Sequence, residues 1–283
     1  MNILRKQQAS IPLYLVGGKT VLDQTQIMLI ATFVAAMAAM ILLWALSLAL
    51  RDASIVDIFW GAGFVIIAAV NFSFTEGFMG RRILILSLVA VWGMRLALHI
   101  FFRNRGRGED PRYQAMRRRH GKRFWIVSLY SVFGFQGVLM WVISLPLQIA
   151  ASSKTPDRFT AFDYLGVAVW TVGFFFEAVG DWQLKRFKSD PSNKGKMMRR
   201  GLWAWTRHPN YFGDATLWWG YFLIALSTDL GVWTLASPLI MTFLLMKVSG
   251  VALLEKSLAK TKPGYRDYVR QTSAFFPLPP RKK

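Results

Sequence analysis

The residues best suited to chemistry in this chain are carboxylates and bases that fall inside long apolar stretches. Glu177 and Asp181 stand four positions apart in one such stretch, and this spacing places both carboxylates on one face of a helix. An ionisable side chain inside a membrane span is costly, so each one is a functional candidate. Lys188 extends the same face into the following loop. The alternative is a ladder of charges that anchors the helix end, but an anchor needs only one charge and two neighbouring carboxylates repel each other.

A second candidate site is the segment Arg207-His-Pro-Asn-Tyr-Phe-Gly-Asp214. Pro209 is unsuited to a helix interior but suits the first turn, so a helix is predicted to begin there. Asn210 and Asp214 then fall four positions apart on one face of that helix. The same helix start carries Arg207, His208 and Tyr211.

A helix N-terminus with a neighbouring arginine and histidine is a favourable place for a phosphate group, because the first backbone N–H groups point outwards and the helix dipole favours negative charge. The alternative is an interfacial belt of aromatic and basic residues. Such a belt accounts for Trp203 and Trp205 but does not account for a buried Asp214.

A third group of ionisable residues lies in the second and third apolar stretches. Arg95 and His99 share one helix face; the arginine suits stabilisation of a developing negative charge, and the histidine suits proton delivery near neutral pH. Asp57 is expected at the outer start of the second span. It is either an orienting group for these two or the N3 acid of a helix that Ser54 caps. We rank them as catalytic candidates in the order Arg95, His99, Asp57. Glu255, near the end of the last stretch, completes the set.

Several other kinds of site are excluded by the sequence. Three histidines, at 99, 120 and 208, with no cysteine give no recognised zinc spacing, and no metal site is expected. Gly61-Ala-Gly63 is followed by Ile66 where a dinucleotide fingerprint needs glycine, and no phosphate-binding Walker loop is present. The arginine-rich stretch 103–123 is expected to meet anionic lipid or a nucleotide rather than nucleic acid.

The elements that must position these residues are transmembrane helices. Residues 27–50 contain no charged side chain over 24 positions, which is long enough to cross a bilayer. The fold class predicted is an all-α membrane protein with about seven transmembrane helices. The predicted spans are 27–50, 55–74, 83–102, 126–150, 162–182, 211–228 and 231–254. Residues 1–25 are predicted to form an interfacial arm, and 26–283 a single membrane-embedded domain.

The basic residues are distributed unequally between the two sides of these spans. One side carries 26 of the 35 lysines and arginines and the other carries seven, while Arg95 and Lys247 lie within spans. Cytoplasmic loops carry the excess of basic residues, so the N-terminus is predicted outside and the C-terminus in the cytoplasm. The resemblance described below, to a bacterial branch of a membrane family, implies the bacterial inner membrane as the location. The net charge of +20 therefore indicates membrane topology rather than a nucleic-acid partner.

At the Arg207–Asp214 segment the sequence resembles the steroid 5α-reductase superfamily, and most closely its bacterial branch described only as a domain of unknown function. The resemblance is nearly full-length and keeps the order of its motifs. These are Ser54…Asp57…Trp60, Trp92-Gly-x-Arg95, Asp110-Pro-Arg-Tyr113, Gln136-Gly, Phe176-Glu…Asp181-x-Gln183, Gly201-Leu-Trp203, Trp218-Trp-Gly220, Ser249-Gly250, Glu255-Lys and Tyr265-x-x-Tyr268.

The resemblance implies a membrane reductase with seven helices that binds NADPH between its last helices and reduces a carbon–carbon double bond in a lipid, sterol-like or isoprenoid substrate. It places cofactor contacts at Asp181, Lys188, Trp203, Asn210 and Asp214, with Arg207, His208 and Glu255 close by; Glu177 and Tyr211 are assigned to the same cofactor site. The family's Gln-Glu pair on the second helix and Tyr on the third are missing here. The second span offers Asp57, and the third reads Trp92-Gly-Met-Arg95.

Two other functions remain open from the sequence. The same Arg-His-Pro-x-Tyr segment, with a later Glu and a Tyr-x-x-Tyr tail, occurs in membrane methyltransferases of the isoprenylcysteine type, which use S-adenosylmethionine. A non-enzymatic lipid-binding or transport protein would line a pathway open to both sides with its charges, whereas here the charges crowd one side.

Overall fold

The computed structural model describes residues 23–248, 250–251, 254–255, 258 and 264–280, and the backbone of 15–16 and 19–20. Most of the predicted interfacial arm and part of the end of the last predicted span lie outside these residues. Strands β1 (Leu15–Val16) and β2 (Lys19–Thr20) pair antiparallel. All other regular structure in the described part is helical, which confirms the predicted all-α membrane class.

The helices, in chain order, are α1 Gln24–Leu50, α2 Ile55–Phe74, α3 Met79–Asn104, α4 Pro111–His120, α5 Phe124–Ser128, α6 Phe135–Ile143, α7 Leu145–Ser152, α8 Ala161–Ser189, α9 Leu202–Trp205, α10 Pro209–Ala225, α11 Ala236–Phe243 and α12 Tyr265–Gln271. Helical turns of 3₁₀ or π type lie at Gly121–Arg123, Leu129–Gly134, Pro191–Asn193, Gly231–Leu235 and Leu244–Val248.

Six helical segments among the described residues are long and apolar enough to cross a membrane. They are α1, α2, α3, Pro111–Ile143, α8 and Gly231–Val248. Each corresponds to a predicted span. The remaining predicted span is α10, which has 17 residues and packs against α7, α8 and α11 inside the bundle. It begins at Pro209, as the sequence predicts.

Two predicted boundaries differ from the structure in ways that concern the site. Helix α8 continues to Ser189, beyond the predicted end at 182, so Asp181 and Lys188 belong to one continuous helix. The fourth predicted span is interrupted by a π-helical turn and then by Ser144, because Pro146 occupies the first turn of α7.

Helices α8 and α10 approach each other closely along a line of glycines. A Cβ added to Gly173 of α8 would lie 2.5 Å from the backbone nitrogen of Leu217, and one added to Gly213 of α10 would lie 2.5 Å from the Gly173 carbonyl oxygen. Small residues permit such backbone contact between membrane helices. This contact brings the polar faces of α8 and α10 together.

An aromatic cluster packs beside the polar faces. Trp92 of α3 and Trp218 of α10 are almost fully buried and meet edge to face at 5.6 Å. Phe64 of α2 lies 4.6 Å from the Trp218 ring, and Tyr221 lies 5.3 Å from it. The cluster joins α2, α3 and α10 and excludes water from one side of the site.

A buried ion pair joins α3 and α8 at the end of the bundle opposite to the basic loops. The Arg81 Nε donates to Asp163 Oδ1 at 2.8 Å, and the two side chains are 0% and 1% exposed. Asp163 also closes a capping box with Thr160, the N-cap of α8. Arg81 and Asp163 form a structural cluster that lies several helical turns before Arg95 and Glu177 on the same two helices.

Candidate functional site

Glu177 and Asp181 of α8 face α3 and α10 from the same side of their helix. The side chain of Glu177 is 3% exposed and that of Asp181 is 9% exposed. Their spacing of one helical turn therefore has the consequence expected from the sequence. Both carboxylates are withdrawn from water.

Arg95 of α3 binds both carboxylates. Its Nη1 donates to Glu177 Oε1 at 2.6 Å, and its Nη2 donates to Asp181 Oδ2 and to the Glu177 carbonyl oxygen, the latter at 3.3 Å. Trp92, one turn earlier, donates its indole N–H to Glu177 Oε2 at 2.9 Å. His99, one turn later, places its Nε2 3.5 Å from Asp181 Oδ2. The face that carries Arg95 and His99 is thus the face that meets α8.

Two acceptor oxygens on α10 accept no hydrogen bond among the described residues. Asn210 donates its Nδ2 to Asp181 Oδ1 at 3.0 Å, but its own Oδ1 is buried and has no hydrogen-bond partner among the described residues. Asp214, one turn further on, also has a buried Oδ1 without a hydrogen-bond partner among the described residues, and the indole of Trp218, whose N–H is itself unpaired there, is the neighbouring donor that acts on this carboxylate. A buried acceptor without a donor costs about 1–3 kcal/mol. Such a pair is where a ligand with N–H or O–H groups would be stabilised.

The cluster holds more acidic than basic groups. The carboxylates of Glu177, Asp181 and Asp214 interact electrostatically with one another and with the guanidinium of Arg95. Three carboxylates around one guanidinium leave an excess of negative charge in a poorly hydrated place. Protons, or donor groups of a ligand, would reduce that excess.

Tyr211 stands beside this cluster at the start of α10. Its ring stacks on His208 with the planes 12° apart and the centroids 5.6 Å apart. Its phenol interacts electrostatically with Asp181 and Asp214 and also with Arg112 of the basic loop. No hydrogen bond is formed by its hydroxyl within the described part of the chain. Tyr211 therefore lies between the polar cluster and the basic loop.

Arg207, His208 and Glu255 form a separate group. Arg207 donates Nε to Glu255 Oε1 at 2.8 Å and Nη1 to the carbonyl oxygens of Val269, at 3.2 Å, and Thr272. His208 Nε2 lies 3.3 Å from the same Glu255 oxygen. Burial alone would raise the pKa of Glu255, but its hydrogen bonds with His208 and Arg207 outweigh burial and hold that pKa below the ordinary value of 4.5.

These contacts give Arg207 and His208 protein partners, and their assignment to a phosphate or cofactor stays a prediction. Arg207 and His208 were expected to favour a phosphate at the start of α10, yet both side chains are directed to Glu255 and the guanidinium is occupied by protein acceptors. The reason is the C-terminal segment, whose carbonyl groups lie against Arg207. The hydrogen bonds of Arg207, His208 and Glu255 hold the C-terminal segment against the start of α10.

Trp203 and Lys188 lie at the same end of α8 as Asp181. The Trp203 indole N–H donates to the Gly180 carbonyl oxygen at 3.0 Å, so it ties α9 to α8. The hydroxyl of Tyr268 in α12 donates to the Trp203 carbonyl oxygen. Lys188 is exposed in the last turn of α8, two turns beyond Asp181.

Asp57 is the candidate that the structure separates from the others. It was expected at the outer end of its span, but it lies at the end where the basic loop folds back. Its carboxylate accepts from Arg112 Nη2 at 2.6 Å and from the Tyr113 hydroxyl at 2.9 Å. The capping alternative is also wrong, because the Ser54 side chain makes no cap bond and donates to Asp52 instead.

Trp92 is the residue of this cluster that the chemical reading of the sequence missed. An indole N–H is a donor without charge, so it did not stand out among the ionisable residues. Its spacing of three positions from Arg95 is the signal that could have found it. Gln136, which accepts from the Trp60 indole at 2.6 Å near Tyr113, was missed for the same reason.

Comparisons with known proteins find similarity to one described family and to proteins of two organisms. A family described as "Protein of unknown function (DUF1295)" matches residues 43–272. An uncharacterized protein of Schizosaccharomyces pombe is 26% identical, over 83% of this chain and 75% of that protein. A protein of Ustilaginoidea virens named probable O-methyltransferase ustE is 42% identical over 71 residues, which is 24% of this chain and 25% of that protein. No solved structure matches the chain.

Proposed function

The chain belongs to the DUF1295 family, and from the polar site and the resemblance of its motifs to the steroid 5α-reductase superfamily we propose that it is an integral-membrane reductase that uses NADPH to saturate a carbon–carbon double bond in a lipophilic substrate. The observation that carries the proposal is the pair of buried, unpaired oxygens of Asn210 and Asp214 beside Asp181. The carboxamide of a nicotinamide and the hydroxyls of a ribose are donors of the kind these oxygens lack.

The position of the site fits a dinucleotide that arrives from the basic side of the membrane. Asn210 lies in the first turn of α10, at the end of the bundle where α8 carries Lys188 beyond Asp181, while the aromatic cluster packs further along α10. A basic surround favours the phosphates and supports a preference for NADPH over NADH. In this proposal Asn210 and Asp214 would hold the nicotinamide and ribose groups of the cofactor through their unpaired oxygens.

When bound, NADPH would supply a hydride to one carbon of the double bond, and the second carbon must receive a proton. We assign proton delivery to His99, because its Nε2 faces Asp181 while the ring stays partly accessible, with 20% of the side chain exposed. Arg95 is bound by two carboxylates, so we assign it to holding Asp181 and Glu177 in place rather than to the substrate. Asp57 has no part in this scheme, because Arg112 and Tyr113 occupy its carboxylate.

We propose that the site faces the cytoplasm of a bacterium and that the protein lies in the inner membrane with its N-terminus outside. The bias of 26 basic residues to seven supports this orientation. The loops assigned to the cytoplasmic side contact one another in the structure, as shown by the hydrogen bond of 2.9 Å from the Ala53 N–H to Glu109. The substrate would enter sideways from the bilayer.

The test is titration of the purified protein in detergent with NADPH, followed by nucleotide fluorescence. Asn210→Ala and Asp214→Ala should each weaken binding by about ten- to a hundred-fold, because a hydrogen bond to a polar ligand is lost. Thr216→Ala is the matched control. Its hydroxyl lies on the same helix and donates to the Phe212 carbonyl oxygen at 2.7 Å, so its loss should leave the affinity unchanged.

The proposal fails if wild-type protein does not bind NADPH, or if the Asn210 and Asp214 variants bind it as tightly as the Thr216 control. Thermal unfolding of each variant separates a lost contact from a lost fold. If the two variants fail to fold while the control folds, the pair is structural. Equal affinity for NADPH and NADH would contradict the proposed preference for NADPH, which depends on binding of its 2′-phosphate.

A second candidate function is methyl transfer from S-adenosylmethionine to a membrane substrate. The observation that favours it is the 71-residue similarity to a protein named as a probable O-methyltransferase. The excess of carboxylates around Asp214 would also suit the positively charged sulfonium. Binding of S-adenosylmethionine without binding of NADPH would select this function. Binding of neither would favour a non-enzymatic lipid-binding or transport protein.

A further inference from the structure

The segment 103–123, which runs from the last turn of α3 to the start of α5, carries more positive charge than nearby carboxylates neutralise. Of its nine basic residues, Arg112 pairs with Asp57 and Asp110 at 2.6 and 2.9 Å, and Arg117 pairs with Glu109 at 2.8 Å. The other seven have no carboxylate within ion-pair distance in the described part of the chain. They are Arg103, Arg105, Arg107, Arg118, Arg119, Lys122 and Arg123, and all seven are exposed.

Helix α4 directs part of this charge away from the protein. Tyr113 and Met116 face the bundle, Tyr113 being 8% exposed. Arg118 and Arg119 project from the opposite side, together with Lys122 of the following turn. This alternation has the period of a helix that lies on a surface with one face inward and one face free.

Arg112 and Arg117, the two basic residues that pair with carboxylates, hold this segment in place. Glu109 accepts from the Ala53 N–H at 2.9 Å and from Arg117 Nη2 at 2.8 Å. Arg117 also lies over the ring of Phe124 at 4.2 Å. Burial alone would raise the pKa of Glu109, but its hydrogen bonds with Arg117 and Ala53 lower that pKa below its ordinary value of 4.5. The Glu109 carboxylate that binds Arg117 is therefore ionised at neutral pH.

The free cations lie next to side chains that face lipid. Phe101 and Phe102, at the end of α3, are 46% and 58% exposed, and Trp125, at the start of α5, is 50% exposed. Trp44 of α1 donates its indole N–H to the Trp125 carbonyl oxygen at 2.9 Å. Tryptophan is typical of the boundary between hydrocarbon and headgroups. The cations flanking these residues are therefore at the depth of the phosphate groups.

We propose that the seven unpaired basic residues form a docking surface, the basic collar, for anionic phospholipids of the adjacent leaflet. Their charge complements headgroups such as phosphatidylglycerol, and the neighbouring aromatic side chains meet the acyl chains of the same lipids. The guanidinium groups of the six arginines among them can each bind a lipid phosphate bidentately. This inference does not depend on the proposed reductase activity.

The experiment compares the association of spin-labelled phosphatidylglycerol and phosphatidylcholine with the protein in phosphatidylcholine bilayers. We expect the wild type to prefer phosphatidylglycerol, and Arg118→Gln/Arg119→Gln/Lys122→Gln to reduce that preference by at least about three-fold, since each basic residue near an anionic surface contributes up to about a five-fold factor. The matched control is Lys194→Gln/Lys196→Gln/Arg200→Gln. It removes the same charge from exposed positions outside the collar.

The proposal is overturned if the collar variant keeps the wild-type preference, or if the control variant loses as much of it. The second result would assign the preference to net charge rather than to this surface. It also fails if the wild type shows no preference and instead binds a short single-stranded RNA that the collar variant no longer binds. Thermal unfolding must show that both triple variants are as stable as the wild type, which their exposed and unpaired side chains lead us to expect.

Discussion

Replacing Arg95 with leucine should destabilise the folded protein. The guanidinium of Arg95 contacts both Glu177 and Asp181, whose side chains are 3% and 9% exposed. Without it, two carboxylates are left in a place that water barely reaches. The prediction therefore tests whether the polar cluster is held together by this one side chain.

The magnitude follows from the burial of the pair. Removing one partner of a buried ion pair costs about 3–5 kcal/mol. Asp181 keeps its hydrogen bond from Asn210 at 3.0 Å, and Glu177 keeps that from Trp92 at 2.9 Å, so we expect the lower end of this range. For a chain of this size the thermal midpoint should fall by on the order of 10 °C.

The assay is thermal unfolding in detergent followed by intrinsic tryptophan fluorescence. Arg95→Lys should be intermediate, because an ammonium keeps the charge but cannot reproduce the planar fork that reaches several acceptors at once. The triple variant Arg95→Leu/Glu177→Gln/Asp181→Asn should recover most of the loss, because it removes the uncompensated carboxylates together with the arginine. NADPH affinity measured on the same samples should fall in Arg95→Leu, since Asp181 would no longer be held.

Two results would refute this reasoning. If Arg95→Leu melts at the wild-type temperature, the cluster is not held by the ion pairs. If the triple variant is less stable than Arg95→Leu alone, the destabilisation comes from lost packing and not from unpaired charge. The first result would return Arg95 to the role of an electrostatic catalyst in contact with the substrate.

Three other predictions follow from the structure. Reporter fusions at Lys283 and within 151–160 should report opposite sides of the membrane, and a cytoplasmic signal from 151–160 would contradict the orientation proposed from the basic residues. The pKa of Glu255 is held below 4.5, so its pairing with Arg207 should contribute stability at neutral pH and lose that contribution as the pH falls through the lowered pKa. Protease sensitivity of the C-terminal segment should therefore rise on acidification below pH 4.5. Glu255→Gln should show that sensitivity already at pH 7. Arg81→Leu should lower the thermal midpoint because it strands the buried Asp163, while the NADPH affinity of the protein that stays folded should not change.

The membrane class of the fold could be predicted from the sequence because it depends on local properties. A stretch of apolar residues long enough to cross a bilayer must form a helix wherever it lies, since its backbone groups find no water there. The start of α10 at Pro209 is equally local, because proline lacks the N–H that a helix interior requires. The shared face of Glu177 and Asp181 follows from the helical period alone.

The partners of these residues could not be predicted in the same way. Asp57 was expected at the outer end of its span, yet it binds Arg112 and Tyr113, because the loop after α3 folds back over the start of α2. Arg207 was expected beside a phosphate, and the sequence did not indicate that its guanidinium would contact the carboxylate of Glu255. Both outcomes depend on which loop or tail lies over a helix end, and hydrophobic periodicity carries no information about that.

What the sequence by itself determined is therefore a set of membrane helices, the faces on which their ionisable residues lie, and the excess of basic residues on one side. What only the tertiary structure decided is that α3, α8 and α10 bring Arg95, Asp181 and Asn210 into one hydrogen-bonded cluster. That meeting requires α8 and α10 to touch along their backbones, which is possible because Gly173 and Gly213 face each other without a Cβ between them. The separation of two helices is set by the smallest side chains at their crossing, and the two glycines become a contact only when the chain has folded.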